Sequence, residues 1–159
     1  MDCSFTGRIT SLQLRGAPHR AQNQYDAGLR GLARQGKPEP PGYRELVLRA
    51  SNQIHGNDFA GAELIRVSFR FGVDLAAQKL PAGDDYLCLP DAETAVRRAV
   101  AALEQDSSEL AGKARFFLVD VLQREIDYGQ RQLFIRPKNF ERSKVVPPHV
   151  LLAVELLRR

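Results

Sequence analysis

The sequence predicts an α+β fold in which a strand-forming first half precedes a helical second half. Two observations carry this prediction. Apolar residues of the second half recur at helical spacing, whereas a five-residue period runs through 57–75 among glycines that disfavour a helix. The chain has 159 residues, of which 43% are hydrophobic and 26% charged. It is therefore long and apolar enough to bury a core.

The first helix of the second half is predicted to begin after Asp91. This residue can cap the free amide groups, and Glu93 lies in the first turn, where the helix dipole favours an anion. Arg97 and Arg98 lie on the polar face. The apolar positions follow the i, i+3, i+4, i+7 pattern as far as residue 105, namely Ala92, Ala95, Val96, Ala99, Val100 and Leu103.

A second helix is predicted over about 108–128, with a serine cap at its start. Gly129 stands where a left-handed C-cap is expected. The apolar surface of this helix is broad, so we expect it to be the most buried one. Its main stripe comprises Leu110, Ala114, Leu118, Val121, Leu122 and Ile126, and Phe116, Phe117 and Val119 widen it.

The end of the chain is predicted to hold one short strand and a final helix. The strand covers 130–136, and Pro137 ends it. Gln130, Arg131 and Gln132 either line a polar surface after the long helix or are simply exposed strand residues. Pro147 and Pro148 mark the start of the helix, whose core face carries Val150, Leu151, Val154 and Leu157.

The first half lacks helical periodicity. Residues 16–42 contain five glycines and four prolines, which predicts a long flexible insertion over 17–56 with one short helix near 25–33. The predicted organisation is thus a first β segment at 1–16, this insertion, a repeat segment at 57–81 and a helical subdomain at 82–159 with three helices and one strand.

The five-residue period is the clearest motif of the chain. Phe59, Leu64 and Phe69 repeat every five residues, and Ala62 and Val67 stand two positions before the last two of them. A weaker version lies at 3–14. Such spacing lets each five-residue face contribute one large side chain to a stacked column. Ordinary strands in a small sheet are the alternative interpretation.

This pattern resembles that of the pentapeptide-repeat family, whose motif A-[D/N]-L-x-x turns the central Leu or Phe and the preceding small residue inward. The resemblance covers 2–16 and 57–81 and is closest to uncharacterised actinobacterial proteins of this type, which offer no assigned activity. It implies a short right-handed quadrilateral β-helix packed against the helical subdomain, with Phe59, Ala62, Leu64, Val67 and Phe69 as the repeat core.

The sequence holds about one and a half such coils, whereas a solenoid needs about three repeats of its coil. Either the helical half covers the coils, another chain stacks on them, or an upstream stretch is missing from this chain. An exposed coil edge would favour a homodimer.

No residue pattern predicts catalysis, a cofactor or a metal. Cys3 and Cys88 lie far apart and are expected as reduced thiols of a cytoplasmic protein. His19, His55 and His149 are isolated in sequence, and no nucleotide-binding or nucleophile motif occurs. We therefore expect a non-enzyme, and a divergent enzyme is kept only as a third hypothesis.

Charge and hydropathy limit the partners. The net charge of +4 is spread over both halves, so nucleic acid is not expected as the main partner. A nucleic-acid-associated basic protein is the alternative, with surface contacts through Arg66, Arg70, Arg97 and Arg98. No apolar stretch could span a membrane, and the first residues lack the apolar region of a secretory signal. The leading hypothesis is a cytoplasmic scaffold that binds an unidentified protein.

Overall fold

The computed structural model describes residues 3–159 and shows an α+β fold with two separate cores. Each of two parallel strand pairs forms its own two-stranded sheet, β1 with β3 and β2 with β4. The strands are β1 Ser4–Thr10, β2 Gln13–Arg15, β3 Asp58–Ile65 and β4 Ser68–Arg70. The chain turns a corner between β1 and β2 at Ser11 (φ 57°) and between β3 and β4 at Arg66 (φ 53°).

The five-residue period places its large residues in one core. Phe59, Leu64 and Phe69 are all buried. The Phe59 ring stacks on Phe5 at 4.7 Å between centroids and meets the edge of Phe69 at 5.9 Å. The β core consists of Phe59, Ala62, Leu64, Val67, Phe69, Val73 and Leu75.

The predicted quadrilateral β-helix is nevertheless wrong. Among residues 3–159 the strands form two-stranded sheets, with no closed or solenoid sheet. After β4 the chain turns at Phe71 and Gly72, which both have positive φ, and it meets β3 again through one isolated parallel bridge, between Lys79 and Asp58. The amides of Gly72 and Val73 then donate to the Gln130 side chain, not to a further strand. This exit explains why the spacing lengthens from five to six residues between Phe69 and Leu75.

Residues 17–56 form an excursion between the stacked strands. It contains α1 (Ala21–Arg34) and α2 (Tyr43–Val47), so the expected long loop holds a 14-residue helix. The excursion returns to its starting point, because the Asn52 amide donates to the Gly16 carbonyl at 2.7 Å. The Gly16 amide donates to the Arg70 carbonyl at 2.8 Å.

The second half forms the helical part. The predicted caps are confirmed: Asp91 accepts from the Thr94 amide, and Ser108 from the Ala111 amide. The helices are α3 (Ala92–Ala101), α4 (Glu109–Phe116), a π-helical segment (Phe117–Leu122), α5 (Gln123–Asp127), a 3₁₀ turn (Pro137–Phe140) and α6 (Pro148–Arg158). The segments from α4 to α5 are continuous, and we name residues 109–127 the long helix. Strand β5 (Leu87–Leu89) pairs antiparallel with β6 (Leu133–Ile135).

The predicted apolar stripes are largely buried. The α3 positions lie in the helical core together with Phe117, Leu118 and Leu122 of the long helix. Four residues of the predicted apolar surfaces are exposed instead, Leu110, Phe116, Val119 and Leu151. Three of them lie on the long helix, so the expectation that it is the most buried helix is wrong. In residues 3–159, none of the helices combines the length and the hydropathy that crossing a membrane requires.

Gln130 joins the two cores. The sequence favours an exposed position for it, but its side chain is completely buried. Its Oε1 accepts from the amides of Gly72 and Val73, and its Nε2 donates to the carbonyls of Val73 and Gln132, each bond being between 2.8 and 3.1 Å. All four hydrogen bonds of the amide are thus made, which is what a buried glutamine requires.

Candidate functional site

An open apolar groove of about 820 Å³ runs along the long helix. One wall is the helix face between Glu109 and Val121, and the other is formed by Phe140 to Arg142 and the start of α6. We name this feature the apolar groove.

The long helix has apolar side chains on two faces, one packed in the helical core and one exposed at the groove. Ala114, Phe117 and Leu118 point into the helical core, whereas Phe116 points away from it and is 64% exposed. Val119, three residues further, is also exposed, at 45%, but does not line the groove. An exposed aromatic side chain beside an apolar groove is the kind of surface that marks an interaction site.

Aromatic and aliphatic side chains form the floor of the groove. Phe117 and Phe140 meet edge to face at 4.8 Å between centroids, and Val121 and Val150 line the groove beside them. The pair holds the two walls together, because edge-to-face contacts stabilise aromatic packing beyond simple burial.

Charged groups are confined to the rim. Lys113 pairs with Glu109 at 2.6 Å, and its hydrogen bond lowers the pKa of that carboxyl. Glu141 and Arg142 lie on the opposite wall. The buried polar residues of the described chain are Gln78, Gln130 and Arg136, and none of them lines the groove. The floor therefore offers no buried polar group that would orient a small polar molecule.

A second cavity of about 220 Å³ lies between β4, β6 and the long helix. We name it the arginine pocket. Its charged and polar lining residues are Arg66, Ser68, Arg70, Glu125, Arg136 and Asn139. It shares two wall residues, Val121 and Phe140, with the apolar groove.

Ion pairs fix the arginine side chains. Arg70 pairs with Glu125 at 2.5 Å, and Arg136 pairs with Glu63 at 2.6 Å. The Arg136 side chain is only 8% exposed. Burial raises the pKa of Glu125, although the positive charge of Arg70 acts in the opposite direction.

The four arginines suggested as surface contacts lie in two places. Arg66 and Arg70 both line the arginine pocket. Arg97 and Arg98 lie on the exposed face of α3 and line neither cavity, and Arg98 donates to the Leu157 carbonyl at 3.4 Å. The structure thus does not gather them into one basic surface.

Sequence reasoning missed two residues of these sites. Arg136 is a single arginine at the end of an apolar strand, and that position was its only signal. The helical pattern predicts Phe116 as a core residue, because it widens the apolar stripe of its helix and periodicity does not show which side a neighbour covers.

The remaining candidate residues form no reactive cluster. His19 stacks on Phe71 at 4.8 Å, His149 lines the apolar groove, and Cys3 and Cys88 are exposed free thiols. Within residues 3–159 no group of three or more His, Cys, Asp or Glu side chains could hold a metal ion.

Comparisons of the chain with protein-family models, with curated proteins and with solved structures gave no match. Membership of the pentapeptide-repeat family therefore stays a prediction.

Proposed function

We propose that this protein is a non-catalytic interaction module that binds an amphipathic helix of a partner protein in the apolar groove. The observation that carries the proposal is the exposed Phe116 beside an open, aromatic-floored groove. An amphipathic helix that lays its apolar face into such a groove is a recurrent mode of recognition.

The lining favours a protein segment over a small polar ligand. Small-molecule sites combine apolar walls with a few well-placed polar groups, whereas no polar side chain that is buried in residues 3–159 lines this groove. The groove wall from Glu109 to Val121 is about 18 Å long at the helical rise of ~1.5 Å per residue. That length accommodates about three turns of a partner helix, with apolar anchors at i, i+4 and i+7.

Phe116 is expected to dominate the binding energy. A phenylalanine side chain buries about 150–250 Å² when fully covered, so covering the 64% that is exposed removes about 130 Å² from water. At about 25 cal/mol per Å² this contributes ~3 kcal/mol. Entropic costs reduce the measured effect of Phe116→Ala to about a tenfold to hundredfold loss of affinity.

The test uses a displayed library of helical peptides with varied apolar anchors, selected on the full chain. Peptides from this selection should lose at least about tenfold in affinity for Phe116→Asp. Leu46→Asp is the matched control, because Leu46 is similarly exposed, at 60%, but lies on α2. Recovery of peptides that bind both variants equally, or of none at all, would show that the groove is not a helix site.

Self-association is a second candidate, favoured by a specific observation. Strand β1 pairs with β3 on one edge, and among residues 3–159 no strand pairs with its other edge. Open edges promote pairing between chains. Light scattering at increasing concentration tests this, and a chain that stays monomeric at millimolar concentration removes the idea.

The location of the protein belongs to the same proposal. We infer a cytoplasmic protein, and the two unbridged exposed thiols support this, since such thiols persist in reducing compartments. Nucleic-acid association has less support, because Arg97 and Arg98 lie apart from Arg66 and Arg70.

A further inference from the structure

We propose that the arginine pocket binds a small organic monocarboxylate with an apolar body. This inference does not depend on the partner helix proposed above: Val121 and Phe140 border both cavities, but the arginines that carry it do not line the apolar groove. The cavity volume of about 220 Å³ equals about seven waters at liquid density, which is room for a ring or a short branched chain and one carboxylate.

The lining residues match both the apolar body and the carboxylate of such a ligand. Val67, Phe69, Leu122 and Phe134 give it apolar walls, and guanidinium groups of Arg66, Arg70 and Arg136 supply the charge. Planar guanidinium groups match the geometry of a carboxylate.

The guanidinium groups are not fully neutralised. The Glu63 carboxylate pairs with both Arg136 and Arg8. The pKa of Glu125 is raised by burial, while Arg70 and Arg124 both lower it. Glu63 thus serves two arginines, and among residues 3–159 Arg66 forms no ion pair with a carboxylate.

Orphaned buried atoms give independent support. The Nε of Arg70 and the Nε of Arg136 are buried donors without a hydrogen-bond partner among residues 3–159. Buried polar groups are normally satisfied, and both residues line this one pocket. A carboxylate would supply acceptors to the two arginines after a small shift of their side chains.

The burial of Arg136 decides against a polyanion. Its side chain is 8% exposed in a narrow cavity, so a nucleic-acid backbone could reach Arg66 but not Arg136. Nucleic-acid binding surfaces instead present their charges along an open stripe.

The test is calorimetric titration of the full chain with benzoate and with its neutral counterpart benzamide. Benzoate should bind saturably, and benzamide at least about tenfold more weakly. Arg70→Gln should weaken benzoate about tenfold, as expected for the loss of one charge-assisted hydrogen bond. Arg97→Gln, an exposed arginine outside the pocket, should leave the affinity unchanged.

A folding defect is separated from a binding defect by a second variant. Arg66→Asn should also weaken benzoate binding and should leave the thermal midpoint unchanged, because asparagine tolerates the left-handed conformation at this position. Equal affinities for benzoate and benzamide, no saturable heat, or equal effects of Arg70→Gln and Arg97→Gln would overturn the proposal. Tighter binding of phenyl phosphate, or displacement of benzoate by a single-stranded oligonucleotide with a steep salt dependence, would assign the arginines to another class of anion and would overturn it as well.

Discussion

Replacing Gln130 with alanine should destabilise the whole protein. The substitution removes four hydrogen bonds. Three of them join the exit from the β core to the helical part, and the fourth is a local bond to the Gln132 carbonyl. Gly72 is exposed and Gln132 is half-buried, so water can replace part of what they lose. The amide and carbonyl of Val73, which is 3% exposed, stay buried without partners.

The expected loss follows from these two groups. Leaving a buried backbone group unsatisfied costs about 1–3 kcal/mol, so the free energy of unfolding should fall by about 4 kcal/mol. For a chain of this size ~1 kcal/mol corresponds to about 2–4 °C in the thermal midpoint, which gives a decrease of about 8–16 °C. Urea titration followed by far-ultraviolet circular dichroism measures the first quantity, and a thermal scan the second.

Two further variants separate hydrogen bonding from cavity formation. Gln130→Met keeps nearly all of the side-chain volume and loses every hydrogen bond, so it should be almost as unstable as Gln130→Ala. The exposed Gln22 provides the control, since Gln22→Ala should change stability by less than about 0.5 kcal/mol. If Gln130→Met recovers the wild-type stability, or if Gln130→Ala loses less than about 1 kcal/mol, the reasoning is refuted.

Three other perturbations test separate features. A Cβ at Gly16 would lie 2.5 Å from the Gly72 carbonyl carbon, so Gly16→Ala should cost about 2–3 kcal/mol in urea unfolding, whereas Gly31→Ala meets no atom within 4 Å and should be neutral or stabilising. Hydrogen bonds from the Thr94 hydroxyl and amide lower the pKa of Asp91. The ionised Asp91 should therefore stabilise the fold fully above its unfolded pKa of about 3.9, and this stabilisation should be lost as the pH falls through the lower folded value. The thermal midpoint of Asp91→Asn should change less with pH across this range than that of the wild type, and parallel profiles would contradict this. Because the ends of the excursion meet at Gly16 and Asn52, replacing 18–50 with a short Gly-Ser linker should preserve one cooperative transition in circular dichroism, and loss of that transition would show that α1 or α2 supports the fold.

The helical part could be predicted in detail because its signals are local. Asp91 and Ser108 cap helices within three residues of the amides that they bind, and Gly129, at φ 86°, ends the long helix as expected. Such contacts depend on residues close in sequence, which a single chain displays directly.

For the β part, the core residues could be predicted from the sequence but the architecture could not. The spacing of Phe59, Leu64 and Phe69 identified core residues correctly, but the same spacing fits both a square coil and a bent pair of strands. The choice depends on Gln130, which accepts hydrogen bonds from the amides of Gly72 and Val73, 58 and 57 residues away in sequence. No local pattern encodes a partner at that distance.

The candidate sites were the least predictable. Periodicity identifies the apolar positions of a helix without showing which of them a neighbouring element covers, so Phe116 and Leu110 were assigned to the core. The arginine pocket could not be predicted for a similar reason. Arg66, Arg70 and Arg136 come together only when β4 and β6 approach the long helix.

The parallel pairing of β1 with β3 also affects synthesis on the ribosome. Ser4 pairs with Asp58, so the first strand leaves the ribosome long before its neighbour. At about 5–20 residues per second this delay lasts ~3–10 s. The nascent strand reads Ser-Phe-Thr-Gly-Arg-Ile-Thr. Its polar residues and central glycine make aggregation with other nascent chains less favourable during those seconds.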